Sequence, residues 1–146
     1  MIGSLTARQD RGSASVEMVI LAPVLLFFVL AVFFAGRYAL AQQSVQAAAA
    51  EAARAASIAR SGADASAAAT TAATASLSNQ DVRCTTQSVS VDTSAFAQRP
   101  GTAGAVAATV SCQVDMSDLA FPGIPGNPTL EATMSSPLDT YRSRQG

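Results

Sequence analysis

The sequence predicts an α+β protein. A long N-terminal helix, transmembrane and continuing outside, packs on a small antiparallel sheet of about three strands with one disulfide. Three observations predict this fold. Residues 18–36, MVILAPVLLFFVLAVFFAG, run nineteen positions without a charge. Residues 38–60, YALAQQSVQAAAAEAARAASIAR, are dominated by alanine, the strongest helix former. Beyond residue 82 the apolar residues recur at every second position, the period of a half-buried strand.

The first element follows from length. At about 1.5 Å per residue the uncharged run covers roughly 28 Å, close to a hydrocarbon core of ~30 Å. Glu17 and Arg37 bracket it, and no second run of this kind occurs in the chain. Arg8 and Arg11 precede the run and Arg37 follows it. The excess of arginine on the N-terminal side puts that end in the cytoplasm and the remainder outside the membrane. Pro23 removes one helical hydrogen bond inside the run, so a kink near 19–23 is expected.

The second element continues the first. Only Gly36 separates the apolar run from residues 38–60, so a helix of about forty residues is expected. Ala48, Ala52, Ala55 and Ala59 form its smooth face, Tyr38, Leu40, Val45 and Ile58 are its large apolar side chains, and Glu51 can pair with Arg54. Ser61-Gly62 interrupts it. Residues 62–80 are mostly alanine, serine and threonine with no bulky side chain before Leu77, and read either as a helix packed on the sheet or as a solvated stalk.

The strands come next. Val106, Ala108, Val110, Cys112, Val114 and Met116 share one parity, and Thr109, Ser111, Gln113 and Asp115 the other. The partner strand, 82–91, changes parity near 86–88, which predicts a β-bulge. Arg99-Pro100-Gly101 signals the turn between them, and a third strand is expected at 129–135 after the proline- and glycine-rich loop 121–128. A hairpin folding about position 98 sets Cys84 opposite Cys112, within the ~4.4–6.8 Å Cα separation of a disulfide. Such a bond requires an oxidising compartment, in agreement with the orientation; two buried free thiols are the alternative.

Composition excludes much else. With no histidine, lysine or tryptophan and two cysteines, histidine triads, the Walker lysine, Schiff-base lysines and four-cysteine zinc sites are ruled out. Nine arginines against ten acids leave a net charge of −1, no footprint for nucleic acid. No nucleophile elbow or glycine-rich phosphate loop is present, and Asp115 and Asp118 read as solvated strand-end residues. The expectation is no enzyme, no cofactor, no metal and no small-molecule substrate.

Glycine at position 12 and glutamate at 17 carry the functional signal. The stretch Arg11-Gly12-Ser13-Ala14-Ser15-Val16-Glu17, then Pro23-Val24-Leu25-Leu26, Gly36-Arg37 and the alanine-rich 45–56 resemble the TadE-like pseudopilins of Tad (Flp) pilus systems. The ending at 137–142 resembles theirs in general pattern. The resemblance implies that a prepilin peptidase cuts after Gly12 and leaves Ser13 as the new N-terminus. Glu17 then becomes the fifth mature residue, which in pilins is thought to meet a neighbour's terminal amine. A carboxylate at the edge of an apolar span needs such a partner, unless it rests in headgroup water. A second role for Glu17, if the protein stays in the membrane, is recognition by the peptidase or the membrane machine.

The implied organisation is a leader at 1–12, a transmembrane helix at 13–37, an alanine-rich helical stalk at 38–81 and a β domain at 82–146. The implied role is that of a minor pseudopilin in the bacterial inner membrane. Its partners would be the prepilin peptidase, other pilins and pseudopilins, and the inner-membrane Tad assembly proteins. Two rivals stand beside it. Ala39-Leu40-Ala41 offers a signal-peptidase site before Gln42, which would release a secreted binding module. A major pilin is the other, disfavoured by the length of the outer part.

Overall fold

The computed structural model describes residues 10–119 and 126–141, the side chains at 10–15 and 119 apart. Residues 1–9 of the expected leader 1–12, most of the loop 121–128 and Arg142 lie outside the described residues. The chain divides into two compact units, Met1–Gly36 and Arg37–Gly146.

Helix α1 is Asp10–Ser57 and contains Pro23. Among the described residues it is the one helix long and apolar enough to cross a membrane, and none of its apolar window is buried. From Arg37 onward it belongs to the second unit. There Ala41, Val45, Ala48, Ala49, Ala52, Ala53 and Ala56 are buried, recurring three and four apart as one helical face requires. This face differs from the expected one. Ala48 and Ala52 are on it, but Ala55 and Ala59 are only half-buried. Of the four large side chains, Val45 alone is buried, while Leu40 and Ile58 are over 60% exposed. A methyl group every turn lets the helix backbone approach the sheet, and the bulky residues would hold it off. Glu51 and Arg54 are both exposed and do not pair with one another.

Residues 62–80 settle into a packed helix rather than a stalk. Helix α2 is Gly62–Asn79. Ser61 caps it by accepting a hydrogen bond from the Asp64 N–H at 3.1 Å, and its hydroxyl donates to the Asp64 carboxylate at 2.8 Å. Ala65, Ala69, Ala73 and Leu77, each four residues apart, form its buried stripe. The helix ends in a Schellman motif: the Val82 N–H donates to the Leu77 carbonyl and the Asp81 N–H to that of Ser78. Asp81 takes the left-handed position, φ 54°, where glycine is usual.

The sheet has the order β1-β2-β3, all antiparallel, with β1 Cys84–Asp92, β2 Ala105–Val114 and β3 Thr129–Pro137. Val106, Ala108, Val110, Cys112 and Val114 all point inward, followed by Met116, as the alternation predicts. β1 reverses parity at a bulge between Cys84 and Thr86, slightly ahead of the expected position. The hairpin register also differs from the expected one, because the strands fold about a point between positions 99 and 100 rather than at 98. Cys84 lies opposite Val114, and Cys112 lies opposite Gln87. The two cysteines are nevertheless bonded, with Cα atoms 5.4 Å apart, because Cys112 shares its inward face with Val114 one pleat away.

Both helices of the second unit cover this one face. Along β1, the Gln87 amide donates to Thr74 of α2 at 3.0 Å. Beside β3, the Ser136 hydroxyl donates to Ser57 at the end of α1 at 3.1 Å. Leu77, Val45, Val106, Val110, Cys112, Met116 and Leu130 are the largest side chains fully enclosed between the layers. The opposite face is polar, and across it Thr109 and Thr133 share a hydrogen bond of 2.8 Å. Between β1 and β2 a short 3₁₀ turn, Ser94–Ala97, closes one end of the core with Phe96, the one aromatic ring buried among the described residues. The expected turn follows, with Gly101 at φ 93°.

Candidate functional site

The residues singled out by sequence fall into two groups, one in each unit. Gly12 and Ser13 belong to the backbone of α1 near its start. Glu17 follows on the same helix and is exposed. Helical spacing puts Ser13 and Glu17 on one face, four residues apart. Cys84 and Cys112 join the edge strand β1 to the central strand β2 in the second unit.

A third group was not assembled from the sequence. Where α1 enters the second unit, Arg37 donates to the Asp118 carboxylate at 2.8 Å, the one ion pair among the described residues. Asp118 belongs to the 3₁₀ turn Ser117–Leu119 that follows β2. Beside it the Asp115 carboxylate accepts hydrogen bonds from the Ser117 hydroxyl at 2.6 Å and the Ser117 N–H at 3.0 Å. These bonds, the hydroxyl's first, favour the ionised form and hold the Asp115 pKa below its ordinary value; the Arg83 charge adds a smaller pull in the same direction. The Asp115 N–H donates to the Arg83 carbonyl at 3.3 Å, tying the end of β2 to the chain entering β1. Asp81 and Arg83 precede β1 and complete the group, which lines a cavity of about 600 Å³. The signal available in the sequence was pairing: an antiparallel hairpin must bring 81–83 to 115–118. Asp115 and Asp118 are solvated at the end of β2, as expected, and the pairing adds the arginines beside them.

At the other end of β1 the Ser94 N–H donates to Asp92 at 3.0 Å, which starts the 3₁₀ turn and lowers the Asp92 pKa. No cluster of three or more histidine, cysteine, aspartate or glutamate side chains suited to a metal ion occurs among the described residues.

The geometry so far is that of an exposed apolar helix and a disulfide-pinned two-layer unit. Comparison with known families shows what this helix is similar to. Residues 12–54 match the family described as TadE-like protein. The segment is TadE-like. The TadE-like segment runs from Gly12, through the whole apolar run, into the buried alanine face of α1. It covers less than a third of the chain and stops before α2 and the sheet. Its family is a structural, Tad pilus-associated one. No curated protein matches the chain, and no solved structure matches it.

Proposed function

We propose that this protein is a minor pseudopilin, a structural subunit that anchors in the inner membrane and serves assembly of a Tad-type pilus or related secretion apparatus. The observation that carries the reading is the TadE-like match, which begins at Gly12 and spans an apolar helical window none of which is buried. In this reading 1–12 is a leader, 13–37 the membrane helix, and the rest of the chain lies outside, where the Cys84–Cys112 bond is stable.

Processing after Gly12 releases Ser13 as a free amine. A cationic amine on one subunit and Glu17 on the next are partners of opposite charge, and pairing them removes the cost of an unmatched carboxylate at the apolar boundary. The prepilin peptidase, other pilins and the inner-membrane Tad proteins are the partners. Contacts between helices and between outer domains are the work it does.

The rival cut after Ala41 fits the structure poorly. Ala41 is buried in the middle of α1, and cleavage there would remove Arg37 and its ion pair from the second unit. Mass spectrometry of the protein from native membranes tests both. A mature chain starting at Ser13 is expected; a start at Gln42 sinks the proposal, and a functional chain starting at Met1 sinks the processing step.

A further inference from the structure

The cavity lined by Arg37, Asp81, Arg83, Asp115 and Asp118 has features that a solvated patch lacks. At about 600 Å³ it is within the range of ligand sites, ~300–1,000 Å³. Its wall includes Ala41, Val114 and Met116, all buried, so an apolar wall stands beside a rim of both charge signs. Leu40 also lines it and is 64% exposed, an apolar side chain presented beside charged groups. Arg37 is the first residue after the apolar run, so chain continuity keeps this rim next to the point where the chain leaves that run. Asp81 holds its place on the rim from a left-handed backbone position that glycine would occupy more easily.

We propose that this cavity binds the head group of an aminophospholipid, a phosphodiester bearing a primary ammonium, of the phosphatidylethanolamine class. The proposal rests on the membrane-anchored reading above. The forked guanidinium groups of Arg37 and Arg83 match phosphate oxygens. Asp81 and Asp118 accept from the ammonium, while Asp115 is already engaged by Ser117. Leu40 packs against the glycerol and the first acyl carbons. Entry of the phosphate frees Arg37 from Asp118, and an exposed ion pair of this kind opens at little cost. An anionic glycerol head group would face three carboxylates and lack the ammonium. A choline head group has the charge but no N–H donor for the aspartates. A soluble amino-phosphate ester shares the polar chemistry and lacks the apolar part.

The test uses the full chain in nanodiscs of phosphatidylethanolamine, phosphatidylcholine and phosphatidylglycerol in equal parts, with retained lipid read by native mass spectrometry. Wild type is expected to retain phosphatidylethanolamine over the other two by about tenfold, the scale of one or two charge-assisted hydrogen bonds. Arg83→Gln and Asp118→Asn, both at exposed positions, should each abolish that preference, and Arg99→Gln, which is not part of the cavity lining, should keep it. No preference in wild type, or an undiminished preference in both cavity variants, overturns the proposal. Displacement by soluble glycerophosphoethanolamine at equal concentration overturns the membrane source. Extraction of the protein from membranes by alkaline carbonate would instead sink the anchoring reading, so the two failures are distinct.

Discussion

Reducing the Cys84–Cys112 bond is the perturbation whose size the structure best defines. The bond joins residues 28 apart, and in the chain-entropy model a loop of that length is worth roughly 3.5 kcal/mol at 25 °C. Reduction in place isolates this term better than substitution. Cys112 is fully buried, and its thiol fills the same volume as a small apolar group, whereas serine there would bury a hydroxyl. If the compact unit Arg37–Gly146 unfolds as one, with the usual entropy near 2.1 cal/mol/K per residue, the loss corresponds to a fall in Tm of about 15 °C. Circular dichroism melts of the full chain in detergent, with and without reductant, measure it. A local signature should accompany the global one. β1 is an edge strand held at its bulge by this bond, so amide exchange at 84–87 should quicken under reduction well below the melt. A drop in Tm under about 4 °C would refute the reasoning, because it would mean that the open chain is already constrained without the bond.

Three further outcomes follow from the same packing. Leu77→Ala removes the large side chain that closes the buried stripe of α2 and should cost about 2–5 kcal/mol by chemical denaturation, whereas Leu40→Ala, at an exposed position, should cost far less. Gly101→Ala forces a Cβ into the left-handed turn between β1 and β2 and should destabilise by about 1 kcal/mol in the same assay. Asp92 and Asp115 have folded-state pKa values below their ordinary ones, so their contribution is present above the unfolded pKa and is lost as pH falls through the depressed folded values. Melting temperature should therefore fall as the pH is lowered through and below the carboxylate range, and Ser117→Ala should flatten that fall; an unchanged profile would remove the role given to Ser117.

What could be read without coordinates was whatever depended on periodicity and bulk. The uncharged run at 18–36 announces a span by length alone. The alternation from Val106 to Met116 fixes which side of β2 faces inward, since a strand places successive side chains on opposite faces. The change of parity in the partner strand was enough to foresee a bulge, and a hairpin folding near position 98 brought Cys84 and Cys112 close enough to foresee their bond, though not their register. The TadE-like character resides in residues 12–54, where local sequence carries it.

The rest needed three dimensions. Alanine looks alike on every side of a helix, so the amphipathic signal in α1 and α2 is weak, and only packing against the sheet selects Ala49, Ala53 and Ala56 over Ala55 and Ala59. The hairpin folds between positions 99 and 100 rather than at 98, so Cys84 faces Val114 and Cys112 faces Gln87, a shift too small for parity arguments to place. Phe96, between β1 and β2, seals the core because the Asp92 turn folds it back, and no periodicity marks it. The charged cavity joins Arg37 to residues 44 to 81 positions further along the chain. Nothing local to any one of them points to the others; an antiparallel sheet and the helix laid on it bring them to one rim.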